Sequence, residues 1–418
     1  MKNIKTKKLK AVNRETLIVT VDISKNKHTG YYRCPDGTEI KPFDFFNTGG
    51  GFNEFWNRIS NAKIEHNLEE IVVGFESTGP YAEPLMQYLR KKSVRIVQVN
   101  PMHTKRLKEL QGNSPNKTDY KDPKVIADII ELGHALTVVI PEGVAAELRR
   151  LTQARERSMQ RRIALLSQLH DLVYLLFPEF LQVMKNIKTK TAQYVLKHYP
   201  TPQHIIEYGL GELTKILKKI SRGKLSKGCA DALYEAASTS IGIIGGQRSI
   251  VLEVREILTH IEASEQFINR IEEEMSNNLK QVPYSRFIVS LRGIGEVTAA
   301  GLIGEVGDFS KFSTIAEIEK LAGLDLFEIS SGKHKGNRRI SKRGRSLMRK
   351  LLFFASINVV RKGGVLHEAY QRLLNRGKPK LKALIAIARK LLRIIFALVR
   401  NHSVYVTDYC KPQLKIAA

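Results

Sequence analysis

The chain opens on a polar, lysine-rich arm over residues 1–14, and its first apolar run is ETLIVTVDIS at 15–24. An unbroken run of that length, rich in β-branched residues, predicts a strand buried on both faces, and it closes on an acid, Asp22. The stretch around Tyr31–Cys34, the turn PDGT at 35–38 and the alternating IKPFDFF after it predict a hairpin turned at Asp36-Gly37. GGGFNEFWNRISNA reads as a loop entering a helix. EEIVVGFES at 69–77 is a second buried strand, closing on Glu76, and VRIVQVN at 94–100 is a third, with the helical AEPLMQYLRKKS between them. Strand, hairpin, helix, strand, helix, strand is the order of an α/β domain with a mixed sheet, spanning residues 15–140. Its last element is a helix from Asp119 through TDYKDPKVIADIIELGHAL, with Pro123 in the first turn and Val125, Ile126, Ile129 and Ile130 on one face.

From 141 to 282 the texture changes. Residues 145–185 and 246–281 repeat apolar positions with a helical period, are rich in Arg, Gln and Glu, and are almost free of Gly and Pro. Long helices are predicted, packed on each other within the chain or shared with a second copy as a coiled coil; the heptads do not choose between the two. Residues 186–245, with Pro200, Pro202 and several glycines, read as a small helical insertion of no assigned role. The remainder, 283–418, reads as a mainly α-helical domain.

Composition adds a partner. A chain of 418 residues with 43% hydrophobic and 26% charged positions is an ordinary globular protein of two or three domains, which excludes wholesale disorder and a collagen-like or disulfide framework. Sixty-eight Lys and Arg against 41 Asp and Glu leave a net charge of +27, far beyond what solubility needs, and predict a polyanionic partner. No apolar run reaches the roughly 18 residues of a membrane span, so no membrane partner is expected. Cys34, Cys229 and Cys410 are far apart and form no CxxC, which fits a reducing compartment, the cytoplasm. Between Glu328 and Glu368 there is no acid, while Lys and Arg occur eleven times. Interleaved with apolar residues, that block predicts a folded basic surface and the main polyanion contact; the plainer alternative is a solvated basic face.

Asp22 and Glu76 each end a predicted strand, and Asp119 and Asp122 stand one turn apart at a helix start. Four carboxylates meeting at one end of a sheet repel each other unless a cation neutralises them. Such oxygen donors suit Mg²⁺, and two ions can clamp the attacking and leaving oxygens of a phosphodiester. Taken singly, each acid has a plainer role as a solvated strand end or, for Asp119, a helix N-cap.

This order of elements resembles the RuvC-like domain of the ribonuclease H fold. VDISK at 21–25, FESTGPY at 75–81, Asn100-Pro101 and NKTDYKDPKVIA at 116–127 resemble the DEDD motif of the insertion-sequence transposases related to the Piv invertase, the bridge-RNA-guided recombinases. The resemblance implies that Asp22, Glu76, Asp119 and Asp122 are catalytic and hold Mg²⁺.

GIGEVTAAGLIGEVGDF at 293–309 reads as a glycine turn feeding a helix, like half of a helix-hairpin-helix. Gly293 and Gly295 would let backbone amides approach a nucleic-acid phosphate; otherwise they make a tight turn with no ligand. AGLDLFEISSGKHKGNRRISKRG at 322–344 resembles the second part of the same family, a transposase domain whose serine attacks DNA. Counting from Ala322-Gly323 selects Ser331, just before Gly332, while counting back without a gap from Ser341-Lys342 selects Ser330. Leu326 stands where the family often has proline. A neutral hydroxyl needs a proton acceptor and a charge clamp on the phosphate. Lys333, Lys335, Arg338, Arg339, Lys342 and Arg343 are near enough in sequence to supply the clamp. The resemblance implies excision and insertion of a mobile element by strand cleavage and rejoining through a serine–DNA phosphoester. The implied partners are double-stranded DNA, a structured guide RNA and further copies of the chain, as a dimer or tetramer. Two other classes fit the residues: a metal-dependent nuclease of the junction-resolvase kind, with water in place of Ser331, and a noncatalytic nucleic-acid scaffold.

Overall fold

The computed structural model describes residues 12–76, 79–111, 122–225, 227–328, 330–331, 334–336 and 338–407, with the backbone alone at 111, 136–137, 330–331 and 334–335. The chain divides into two compact units, Met1–Val139 and Ile140–Ala418.

In the first unit β1 (Thr16–Asp22), β2 (Lys27–Arg33), β3 (Phe43–Phe46), α1 (Gly49–Glu65), β4 (Glu70–Glu76), α2 (Glu83–Arg90), β5 (Arg95–Val99), α3 (Pro101–Gln111), α4 (Asp122–Glu131) and β6 (Leu136–Thr137) follow in order. The sheet runs β3-β2-β1-β4-β5-β6, with β1, β4 and β5 parallel and the other neighbours antiparallel. The parallel strands are the three apolar runs, and both of their faces are covered. Leu17, Val19, Val21, Val73 and Phe75 pack with Phe55 and Ile59 of α1 and Leu85 and Leu89 of α2. Ile18, Val72, Val97 and Val99 pack with Val125, Ile126, Ile129 and Ile130 of α4.

The expected hairpin turn is present: Gly37 has φ +90°, the Cys34 amide donates to the Thr38 carbonyl at 2.8 Å, and Asp36 accepts from the Thr38 amide at 2.8 Å. Helix α4 ends earlier than its sequence suggests. At Gly133 (φ +73°) the chain turns left-handed, the His134 amide closes on the Ile129 carbonyl at 3.0 Å, and Leu136–Thr137 joins β5 as an edge strand. Ion pairs fasten α4 to the β2–β3 region. Arg33 meets Asp128 at 2.7 Å and Lys124 meets Glu39 at 2.5 Å. The Lys124 ammonium, with the Tyr31 hydroxyl, holds the Glu39 carboxyl down at about 2.

The second unit comprises α5 (Gly143–Leu176), α6 (Phe180–Val183), α7 (Lys190–His198), α8 (Pro202–Tyr208), α9 (Leu210–Ile220), α10 (Lys227–Ser238), α11 (Gln247–Lys280), α12 (Ser285–Val289), α13 (Glu296–Val306), α14 (Ile315–Ala322), four two-residue strands β7 (Leu326–Phe327), β8 (Ser330–Ser331), β9 (His334–Lys335) and β10 (Arg339–Ile340), then α15 (Ser346–Val359), α16 (His367–Asn375) and α17 (Lys380–Arg400). The long helices α5 and α11 pair antiparallel within the chain: Arg155 meets Glu272 at 2.7 Å, Arg162 meets Glu265 at 2.5 Å and Gln168 donates to Glu253 at 2.7 Å. Helix α5 stops at Leu176 rather than near 185 because Pro178 follows. Helices α7–α10 close a small core with the neighbouring ends of α5 and α11, through Leu169, Val173, Leu196, Leu213, Leu233 and Ile257. A second core joins α13, α15 and α17 to the other ends of the pair. Gly304 of α13 lies against the α5 backbone, where a Cβ would stand 2.6 Å from the Arg149 nitrogen. Among the described residues no helix is long and apolar enough to cross a membrane.

Candidate active site

Asp22 and Glu76 are the last residues of neighbouring parallel strands. The register pairs Thr20 with Gly74 and Val21 with Phe75, so its next step sets Asp22 beside Glu76. Side chains alternate along a strand, which puts both acids on the face that carries Thr20 and Gly74, the α4 face. Gly74 lets α4 approach closely, since a Cβ there would collide with Ile130. Buried Thr20 donates its hydroxyl to the Pro123 carbonyl at 2.7 Å, fixing the first turn of α4, and Asp122 with it, against β1.

Helix α3 connects two of these acids. Asn100 caps it, accepting the Met102 amide at 2.9 Å, and Pro101 opens its first turn. Thr104, 3% exposed, donates to Glu76 Oε2 at 2.9 Å, and Lys108 pairs with Asp122 Oδ1 at 2.5 Å. Positions four apart share one helix face, so Glu76 and Asp122 meet the same side of α3. Asp119 lies outside the described residues.

The serine pair sits on a two-stranded ribbon. In it β7 pairs with β10 (Leu326 with Ile340, Phe327 with Arg339), and β8 pairs with β9 (Ser330 with Lys335, Ser331 with His334). The ribbon is tied at its base: Ser341 donates its hydroxyl to Asp325, the Ser341 amide meets the Asp325 carbonyl at 2.9 Å, and the Lys342 amide meets the Gly323 carbonyl at 3.0 Å. Arg338 pairs with Glu328 across it at 2.8 Å, while Arg339, Lys342 and Arg343 are exposed. Lys333 lies outside the described residues, and Lys335 is placed by its backbone alone.

Residues 19–178 match a family model named for the DEDD transposase of IS110 and described as "Transposase", and residues 285–371 match "Transposase IS116/IS110/IS902 family". The two stretches together span more than half of the chain. The chain belongs to the IS110/IS116 transposase family. The transposase is 22% identical to the insertion element IS110 43.6 kDa protein of Streptomyces coelicolor, over 92% of the chain and 94% of that relative. It is 25% identical to the IS900 42 kDa protein of Mycobacterium paratuberculosis, over 69% and 73% respectively. It is 24% identical to the IS116 44.8 kDa protein of Streptomyces clavuligerus, over 69% and 72%. The families that it matches are those of DNA recombination enzymes, and the transposase is such an enzyme.

Asp22, Glu76 and Asp122, the described members of the expected DEDD set, offer only carboxylate oxygens, the donors a divalent cation such as Mg²⁺ takes. Among the described residues no group of three or more His, Cys, Asp or Glu side chains stands close enough to hold a metal, and Asp122 is engaged by Lys108. Composition did not reveal Thr104 and Lys108; the signal available was Asn100-Pro101 as a helix start followed by two polar residues four apart.

The basic block of 329–367 is not one surface. Half-buried Arg345 bonds to the Glu305 carbonyl, and desolvation, with Arg149 nearby, pushes its guanidinium down to about 10. Arg349 donates to the carbonyls of Ala322 at 2.9 Å and Gly344 at 3.1 Å, and Lys350 pairs with Glu156 at 2.5 Å. These three brace the ends of the ribbon segment and the start of α15, where composition alone counted them with the exposed cations.

Proposed function

We propose that the transposase excises and inserts its DNA element by strand cleavage and rejoining through Ser331, with Ser330 as the alternative, and with divalent-metal chemistry at Asp22, Glu76, Asp119 and Asp122. The observation that supports this most is the gathering of acids where the parallel strands end, Glu76 and Asp122 against one face of α3, in a chain of charge +27. A basic protein that carries carboxylates side by side at the ends of neighbouring strands is suited to phosphodiester chemistry. Mg²⁺ at the acids would supply neutralisation of the scissile phosphate. The serine oxygen forms a bond to phosphorus as the phosphorus–oxygen bond to the leaving strand breaks. The serine proton passes to an acceptor, and the leaving sugar oxygen takes up a proton. Rejoining runs the same exchange backwards with a new strand end, so no phosphodiester energy is lost to water. Arg339, Lys342 and Arg343 would hold the phosphate, with Lys333 and Lys335; Arg338 is shared with Glu328. Gly293 and Gly295 would meet a phosphate further along the DNA. A structured guide RNA would be held through its backbone, which the family resemblance and the charge support, and the active assembly would be a dimer or tetramer, which the family resemblance supports.

The test is to incubate the protein, its flanking RNA, Mg²⁺ and end-labelled DNA and to look for a denaturant-resistant adduct mapping to one serine peptide. Ser331→Ala is expected to abolish adduct and joining. If Ser331→Ala and Ser330→Ala both leave cleavage intact, the chain is a metal nuclease using water.

A further inference from the structure

We propose that two segments far apart in sequence, Arg292–Gly295 before α13 and the last turn of α15 with the loop after it, Asn358–Gly364, form one cradle for a backbone phosphate of duplex DNA. This rests on the DNA-acting role above and adds residues to it. The segments lie near opposite ends of the stretch that matches the second transposase family, and together they line an open concavity of about 550 Å³. Arg292, Arg361 and Lys362 all border it, all are exposed, and among the described residues no carboxylate pairs with any of them. Other cations of this unit, Arg155, Arg162, Lys197, Lys350 and Arg389 among them, are paired with glutamates. Three unpaired positive charges on one concave surface mark a place for an anion. The nearest acid in sequence, Glu296, accepts the Ser276 hydroxyl at 2.5 Å and does not line the concavity.

The glycines separate what the fold requires from what a ligand requires. A Cβ at Gly293 would press on Val359 Cγ1 at 3.1 Å, and one at Gly364 would collide with the Val359 carbonyl, so these two let the segments meet. Gly295 is different. Its φ is −84°, which any residue adopts, and a Cβ there would meet nothing within 4 Å. As the N-cap of α13 the position would equally take Ser, Asn or Asp, so the fold does not need glycine itself at 295; an approaching phosphate does, because the bare backbone leaves the first amides of the eleven-residue helix α13 open. The concavity is wide and open to solvent, which suits a polymer crossing it. Its lining has no aromatic side chain on which unpaired bases could stack, which favours a duplex backbone over single strands.

The experiment is salt-dependent binding of the full chain to a labelled DNA duplex. Each phosphate contact contributes about −0.9 to the slope of log affinity against log salt. The double variant Arg361→Ala/Lys362→Ala is expected to flatten the slope by about 1 and to weaken binding at least about tenfold at physiological salt. Gly295→Asn keeps a good helix N-cap residue while putting a side chain over those amides, and should weaken binding without lowering the melting temperature. Lys218→Ala/Lys219→Ala, the same charge removed from exposed sites on α9, should leave the slope as it was. The cradle is overturned if the Arg361/Lys362 variant keeps the wild-type slope, if the α9 variant loses as much, or if only binding to structured RNA suffers. Absence of salt-dependent duplex binding by the wild type would instead sink the DNA-acting role itself.

Discussion

At the scale of single residues, the acids depend on neighbours that carry no family signature. Thr104 aims Glu76, and Lys108 neutralises Asp122 where a divalent cation would have to compete for the same oxygen. These two contacts predict opposite effects. Partners that orient a metal ligand typically contribute 10–100-fold in metal affinity, so Thr104→Val should weaken Mn²⁺ binding about tenfold. Lys108→Met removes the competing ammonium and should tighten it several-fold, roughly the effect of one unit charge close to the site. Titration of Mn²⁺ by electron paramagnetic resonance, without DNA, measures both; identical curves for the two variants and wild type would separate α3 from the metal site. Asp22, Glu76 and Asp122 were legible because each closes or opens an apolar run. Thr104 and Lys108 were not, because PMHTKRLKELQ packs little more than Leu107 against the core and so has no apolar period to read.

At the scale of elements, strands buried on both faces and the apolar face of α4 could be read from sequence, since burial there is continuous. The serine ribbon could not. Strands of two residues have no period, and what holds the ribbon is tertiary: carbonyls meeting Arg349, Asp325 bonded to Ser341, and the α14–α17 contact at its root. The pairing of α5 with α11 was likewise undecidable from heptads, because the choice between an internal and an external partner rests on Arg155, Arg162 and Gln168 finding glutamates in the same chain. The ribbon's root has a single strong point. Glu319 of α14, 6% exposed, meets Arg389 at 2.8 Å and Arg393 at 2.6 Å on α17, and these guanidinium bonds outweigh burial to hold its carboxyl below the usual range. Glu319→Gln leaves two guanidinium groups poorly compensated. Breaking such a pair costs about 2–3 kcal/mol here, toward the low end because Arg393 reaches water. The melting temperature should fall by about 5 °C, and amide exchange should rise through 323–345, the segment that follows α14. A faster exchange elsewhere with 323–345 unaffected would mean that the ribbon is held independently of α17.

At the scale of the whole molecule, binding and chemistry separate. The net charge of +27 acts on any polyanion within about a Debye length, whereas the proposed acid site would act on one phosphate. Removing an acid should therefore abolish strand joining without loosening the protein from DNA. Asp22→Asn takes away a negative charge from a chain that attracts phosphates, so its duplex affinity at fixed salt should equal or slightly exceed that of wild type, with the same salt slope. The reason is that counterion release depends on the cations that touch phosphates, and Asp22 is not among them. Filter retention of labelled duplex across a salt series, run beside a joining assay on the same preparations, measures the two quantities independently. If Asp22→Asn lost affinity and slope together, the acid end of the sheet would be contributing a metal-bridged DNA contact to binding, and the charge of the chain would not be the main source of its hold on DNA.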